Sequence, residues 1–348
     1  MARARKALAD AGFDDRVPLT RASSVTNEVW LSDDFVIRVN RRPNHRLRRE
    51  AFLGPLLPEA VGYPETIAYG GELGADWLIA GRRPGEMLSA CWPAMNEFER
   101  RSATRQLAEM LRELHRVPVP ADLIGLDDPP QLLDANALPV VQPLLAALDE
   151  LDTIACVDHG LIADTRHVVL ASTPALEPFS TSTLIHGDLH FQNVLWDGFS
   201  VTAILDIEWA RGAPPDLDLD VFLRFCARPH WFVAPEYAEQ TLVEDYVDVP
   251  YWLAEYYPEL FEHEYALERT LLYSISYDVH DLVKDVRETP IQGSTRELPE
   301  WHPHKRLEKS LWGNSHLHRL AGQVAWDAVD FGQPLPGPPP LAPKAEIA

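Results

Sequence analysis

The sequence predicts an α+β fold in two lobes: a small N-terminal lobe built on an antiparallel β-sheet with one helix, and a larger, mainly helical C-terminal lobe. Three observations predict it. Before Pro84, apolar residues come in short β-branched and aromatic runs separated by turn residues. Beyond it they recur at helical spacing. Within that later part, three short apolar segments around a hairpin signal interrupt the helices. The expected boundaries are 1–84 for the first lobe, 85–332 for the second and 333–348 for a Pro-rich tail, extended or disordered and outside the fold.

The elements follow in order. Residues 25–31 and 34–39 read as strands, joined by the turn Ser32-Asp33-Asp34. After Pro43, the run from Arg46 to Leu57 suits a short helix. Thr66–Tyr69 and Asp76–Ala80 are two more strands around Gly70-Gly71, and Pro84-Gly85 punctuates the chain at the lobe boundary. From Phe98 to His115, Leu107, Met110, Leu111 and Leu114 form a buried helical stripe, which Pro118 and Pro120 end. Leu184-Ile185, Val194–Trp196 and Val201–Ile207 are strand-like, with Asp197-Gly198 as the hairpin turn between the last two. Residues 237–286, dense in Leu, Tyr and acidic side chains, are expected to be helical.

Composition narrows the class of function. The chain has 348 residues, 46% hydrophobic and 24% charged, values ordinary for a globular protein. Its formal net charge of −22 argues against nucleic acid as a partner, since phosphate backbones require basic surface. The charge is uneven: residues 1–50 carry eleven Lys/Arg against seven Asp/Glu, whereas residues 203–300 carry seven against twenty-one. A basic first part suits a polyphosphate, and an acidic later part suits steering of a cationic substrate, or simply solubility. No apolar run approaches a membrane span, and the N-terminus lacks the apolar stretch of a secretory signal. The three scattered cysteines (Cys91, Cys156, Cys226) form neither a disulfide framework nor a zinc pattern, so a cytoplasmic location is expected.

The chemistry concentrates in Ile185-His-Gly-Asp-Leu-His-Phe-Gln-Asn-Val-Leu and Ala203-Ile-Leu-Asp-Ile-Glu. Asp188 and Asn193 stand five positions apart in a polar loop bounded by apolar strands, and Asp206 sits at the end of the strand after the hairpin. Phosphoryl transfer needs such a set. The attacking hydroxyl must be oriented and relieved of its proton, and phosphate charge needs a magnesium ion held by hard oxygen ligands. Asp188 fits the first task, Asn193 with Asp206 the second. A polar hairpin with incidental carboxylates is the bland alternative; all three residues at this spacing argue against it.

These segments resemble the aminoglycoside phosphotransferase and choline kinase-like family, relatives of the protein kinases. The family loop His-Gly-Asp-x-x-x-x-Asn is matched by His186, Gly187, Asp188 and Asn193, and its Asp-x-Glu segment by Asp206 and Glu208. The resemblance implies a protein-kinase-like fold, ATP (or GTP) as phosphoryl donor and Mg2+ as cofactor. It implies Asp188 as catalytic base or hydroxyl-orienting group, Asn193 and Asp206 as metal ligands, and supporting roles for His186 and Glu208. Pro215-Asp216-Leu-Asp218-Leu looks like the family's following segment, in which Asp218 would brace the loop, although the usual Gly-Asp-Pro is here Gly212-Ala213-Pro214. Upstream, Arg38 occupies the place of the usual phosphate-gripping Lys, with Glu50 as its ion-pair partner. Trp77–Glu86, including Ala80 and Arg82, looks like the hinge that meets adenine. Ser23 and Ser24 lie where a phosphate loop should be, without a Gly-x-Gly-x-x-Gly or Walker signature. His115 ends a helix that resembles the family's Leu-His helix and reads as a cap or a satisfied histidine.

The expected activity is therefore O-phosphorylation of a small molecule, with a sugar-containing antibiotic (hence a resistance role) or a primary metabolite such as choline, homoserine or a sugar as acceptor. The acceptor-binding residues are expected between Phe222 and Val286 but are not identified, and neither is the oligomeric state. A metal-dependent phosphoesterase is suggested by Gly187-Asp-Leu-His190, but the further His and Asp ligands of such a site are missing. A catalytically inactive nucleotide-binding module is disfavoured by the three polar residues together. A protein kinase proper is disfavoured by the absence of His-Arg-Asp, Asp-Phe-Gly and Ala-Pro-Glu.

Overall fold

A computed structural model describes residues 1–22, 24 and 26–321. The Pro-rich tail expected at 333–348 lies outside the described residues, as does Ser23. The chain forms two compact units. The first comprises Met1–Asp128 and Ser182–Gly212, the second Pro129–Thr181 and the chain from Ala213 onward.

The first unit opens with helix α1 (Ala2–Asp10), followed by β1 (Thr20–Ala22), β2 (Asn27–Leu31) and β3 (Phe35–Asn40). Helix α2 (Arg46–Leu53), β4 (Thr66–Gly70) and β5 (Trp77–Gly81) come next. The five strands form one antiparallel sheet in the order β1-β2-β3-β5-β4. The β2–β3 turn closes as its sequence demands: Ser32 Oγ accepts from the Phe35 amide at 3.0 Å, and the Ser32 amide donates back to the Phe35 carbonyl at 2.9 Å. Trp30, Phe35, Ile37, Val39, Trp77 and Ile79 bury one face of the sheet. Helix α1 covers that face with Ala4, Ala7 and Leu8, an i, i+3, i+4 stripe that the sequence carried but that was not read as a helix.

The same unit continues through β6 (Glu86–Met87), the short α3 (Leu88–Cys91) and α4 (Glu97–His115). Asn96 caps α4 in a reciprocal capping box with Glu99. Strands β7 (Leu184–Ile185), β8 (Val194–Trp196), β9 (Val201–Ile204) and β10 (Arg211–Gly212) complete it. β6, β8 and β9 form one small antiparallel sheet, and β7 pairs with β10. At the hairpin tip, Asp197 Oδ1 accepts the amides of Phe199 and Ser200, and Gly198 takes φ 104°.

The second unit is helical: α5 (Gln142–Leu151), α6 (His159–Ser172), α7 (Asp218–Ala227), α8 (Pro235–Ala238), α9 (Val249–Tyr256), α10 (Ala266–Glu288), α11 (Pro303–Leu311) and α12 (His316–Ala321). The 23-residue α10 packs against α5, α6, α7 and α11, and its Leu272, Tyr273, Ile275, Val279 and Leu282 are fully buried. Among the described residues no helix is long and apolar enough to cross a membrane. Cys91, Cys156 and Cys226 are all free thiols.

Candidate active site

The polar loop after β7 is locked from inside. His186 is fully buried; its Nε2–H donates to the Leu205 carbonyl at 2.8 Å, while Nδ1 accepts the Asp188 amide at 3.2 Å. Those two bonds fix the tautomer and join the start of the loop to the residue just before Asp206. Asn193 adds a second tie: its Nδ2 donates to the Asp188 carbonyl at 2.9 Å, and its own carbonyl accepts the Leu205 amide at 2.7 Å. Gly187 lies at φ 82°, and a Cβ there would strike the carbonyl of Trp209, so only glycine fits. Asp206 is the one non-glycine residue at positive φ among the described residues, at φ 60° and ψ 56°. Strain of that kind, stored where a carboxylate must be aimed, marks functional turns.

Around Asp206 lies a cluster of opposed charges. Arg38, on β3, forks its guanidinium. Nη1 meets both Glu50 oxygens at 2.6 and 2.5 Å, and Nη2 meets Asp206 Oδ1 at 2.8 Å and Glu208 Oε2 at 3.3 Å. Arg46, at the start of α2, binds Glu208 Oε1 at 3.1 Å and stacks 4.0 Å over the Trp209 ring. The Tyr63 hydroxyl donates to Glu50 Oε1 at 2.6 Å. Burial works against the Arg38 charge, but Asp206, Glu50 and Glu208 outweigh it and push the guanidinium further up. Burial, with Asp206 nearby, lifts Glu208 to about 8, and burial also raises Glu50 against the pull of Arg38. Arg38 stays ionised, because its guanidinium is forked between carboxylates.

A divalent cation fits this donor set. Glu50, Asp206 and Glu208 offer oxygen atoms that all lie within 4.8 Å of one another. Asn193 bonds the loop through Nδ2, which leaves its Oδ1 as an acceptor. Oxygen-only donors suit magnesium rather than zinc. Asp206, 32% exposed at its side chain, is the member open to a further partner, while Glu50 and Glu208 are buried at 3% each.

With this geometry in view, three comparisons bear on the chain. The model of the phosphotransferase enzyme family matches residues 19–253, about two thirds of the sequence. The chain belongs to the phosphotransferase enzyme family. No curated protein matches it. Among solved structures, a thermostable mutant of aminoglycoside phosphotransferase APH(4)-Ia in ternary complex with ADP and hygromycin B superposes with a TM-score of 0.56. It is 16% identical, and the match covers 83% of this chain and 92% of that one. The GDP complex of aminoglycoside 2'-phosphotransferase-IIIa gives a TM-score of 0.55 at 19% identity, covering 78% of this chain and 86% of that one. The GDP and kanamycin complex of APH(2")-IIia gives 0.53 at 18%, covering 78% and 87%. At these identities the likeness is one of fold, and it bears out the kinase-like α+β architecture expected from the sequence.

The structure gathers Arg38, Glu50, Asp206 and Glu208 into one charged cluster, and ties His186, Asn193 and the Asp188 backbone to Leu205, the residue just before Asp206. The other expected positions are held as follows. Arg82 is engaged at the β2–β3 turn, its amide donating to the Asp34 carbonyl at 2.8 Å and its Nη1 to the Ser32 carbonyl at 2.7 Å. Ala80 sits in β5 opposite Val36 and Thr66. Ser24 is half-buried. Asp218 opens α7 in the second unit and is buried. Neighbouring Asp216 pairs there with Arg269 at 2.5 Å and accepts from the Tyr273 hydroxyl at 3.3 Å. Sequence reasoning missed Arg46 and Tyr63. Arg46 precedes Glu50 by four residues, one turn along the same helix face, a signal that was present. Tyr63 lies in an irregular segment with no periodicity to reveal it.

Proposed function

We propose that the chain is a magnesium-dependent kinase that transfers the γ-phosphoryl group of ATP or GTP to a hydroxyl of a small molecule. A sugar-containing antibiotic, such as an aminoglycoside, is the leading acceptor class. The observation that supports this best is the tie from Asp188 through the Asn193 side chain and Leu205 to Asp206, which holds base and metal ligand on one rigid frame. Asp188 accepts the proton of the acceptor hydroxyl as its oxygen bonds to phosphorus and the bond from the γ-phosphorus to the β–γ bridging oxygen breaks. Asn193 and Asp206 would hold the metal, and Glu208 holds Arg46 and Arg38 in place. Magnesium supplies charge neutralisation at the phosphates. Catalysis on this frame is positioning and electrostatics, with no covalent enzyme intermediate.

A phosphoesterase reading finds no support here: the only candidate metal cluster among the described residues, Glu50, Asp206 and Glu208, contains no histidine. The nucleotide donor agrees with the ADP and GDP complexes of the structural neighbours. The aminoglycoside assignment rests on the hygromycin B and kanamycin those neighbours bind and on the acid-rich stretch 203–300, with its twenty-one Asp/Glu. Free thiols throughout agree with a reducing, cytoplasmic setting.

The test is an ADP-release screen with ATP and magnesium against aminoglycosides, other sugar-containing antibiotics, amino alcohols and free sugars. Turnover of an aminoglycoside is expected. In Asp188→Asn, folding and nucleotide binding should persist while turnover falls by roughly 10²–10⁴, the range for loss of a general base. Near-normal activity in that variant would reject the assignment of Asp188. Turnover confined to a primary metabolite would reject the antibiotic reading but keep the kinase.

A further inference from the structure

The second unit contains a knot of cations, one of which no carboxylate among the described residues meets. Arg224 meets Asp278 at 2.7 Å and Asp220 at 3.6 Å, and Arg306 meets Asp278 at 2.7 Å and Asp281 at 2.6 Å. Those two arginines are paired with three acids. Arg228, just beyond α7, is not: it is 9% exposed, and no hydrogen bond or ion pair to its guanidinium is found among the described residues. Its guanidinium lies over the Trp231 ring, 4.2 Å away. A ring face offsets part of a desolvated charge but accepts none of the five N–H donors. Lys309 lies beside it and reaches only the exposed Glu300, 67% open at its side chain. His316 is 8% exposed, and its Nε2 has no hydrogen-bond partner.

These groups face one cavity, lined by Arg224, Arg228, Asp278, Arg306, Lys309 and His316 together with the buried Ser310 and Ser315. The cavity is small, about 10 Å³, a size that favours a monatomic ion over a tetrahedral oxyanion. Water in that place would accept a hydrogen bond or two and leave the charge uncompensated, and buried cations without a counter-charge are costly. We propose that this cavity is a small-anion site in which Arg228, Lys309 and His316 bind one halide-sized inorganic anion. The anion joins α11 and the start of α12 to the end of α7.

The electrostatics point the same way. Burial, and then Arg319 and Arg224, depress the Arg228 guanidinium to about 10, and burial with Arg228 and Arg319 nearby lowers Lys309. Burial and the surrounding arginines hold His316 neutral, and its Nε2, without a partner in the protein, can carry the ring proton toward the cavity. A bound anion relieves all three.

Thermal unfolding of the full chain, with sodium chloride replacing sodium gluconate at constant ionic strength, tests the site. The melting temperature should rise by on the order of a few °C once chloride is about tenfold above its Kd, and bromide should act alike. In Arg228→Met the rise should vanish. Because that variant can fail to fold, a wild-type crystal grown in bromide gives an independent reading. An anomalous peak within hydrogen-bond distance of the Arg228 guanidinium supports the site. The proposal is overturned by an equal chloride response in Arg228→Met, by phosphate raising the melting temperature where halides do not, or by no bromide peak in the cavity.

Discussion

Arg38 shows how one residue can set the character of a site. Lysine, the usual occupant of this place in the family the sequence resembles, presents a single point charge. Arginine presents a planar fork, and here both prongs are used, one on Glu50 and one on Asp206 and Glu208. The pair is nearly dry, with side-chain exposures of 14% for Arg38 and 3% for Glu50. Removing one partner of such a pair leaves the other buried and uncompensated. Arg38→Ala should therefore cost about 3–5 kcal/mol. Arg38→Lys, which keeps the charge but loses one prong, should cost about 1–2 kcal/mol, the scale of a charge-assisted hydrogen bond. Urea unfolding of both variants measures the order. An Arg38→Ala cost within about 0.5 kcal/mol, as for an ordinary surface change, would contradict the geometry.

At the scale of elements, local sequence rules held where one element answers to its own residues. Helix α4 begins where Asn96 and Glu99 form their capping box, the Asn96 side chain accepting the Glu99 amide at 3.1 Å and Glu99 Oε2 accepting the Asn96 amide at 2.8 Å. Asn96→Ala should destabilise the first unit by about 1 kcal/mol, read from the shift in its denaturant midpoint, while ADP release per folded molecule stays unchanged. The β2–β3 turn, the 197–198 hairpin and the helical stripe of α4 were legible for the same reason: their signals are short-range. Asp188, Asn193 and Asp206 stand out in the sequence because their spacing is itself the motif. What sequence did not reveal depends on tertiary context. The α1 stripe of Ala4, Ala7 and Leu8 gains meaning only against Trp30 and Ile37. Tyr63 matters only because an irregular segment carries its hydroxyl to Glu50. The two residues of β10 pair with β7 through backbone bonds that no side-chain pattern announces.

Across the whole molecule, ionisable groups buried out of reach of water tie stability to pH, and the histidines of the second unit carry this furthest. His302, His304, His316 and His318 all titrate below the usual imidazole range, in each case chiefly through burial. His304 is fully buried, and neither ring nitrogen makes a hydrogen bond; Glu308 stands 3.6 Å from Nδ1. A depressed folded-state value means that, below about pH 6.5, the unfolded chain takes up protons that the folded chain refuses. Stability from these groups is therefore fully present above that pH and is lost as pH falls through the folded values. Asp220, raised by burial, works in the opposite sense, but it is one carboxyl against four imidazoles. Amide exchange in α11, corrected for its intrinsic pH dependence, should accelerate between pH 7 and 5.5. His304→Leu, which replaces an unbonded ring with an apolar side chain, should weaken that dependence and leave the variant more stable than the parent at pH 5.5. Unchanged protection of α11 over this interval would mean that water reaches the rings and that burial does not hold them neutral.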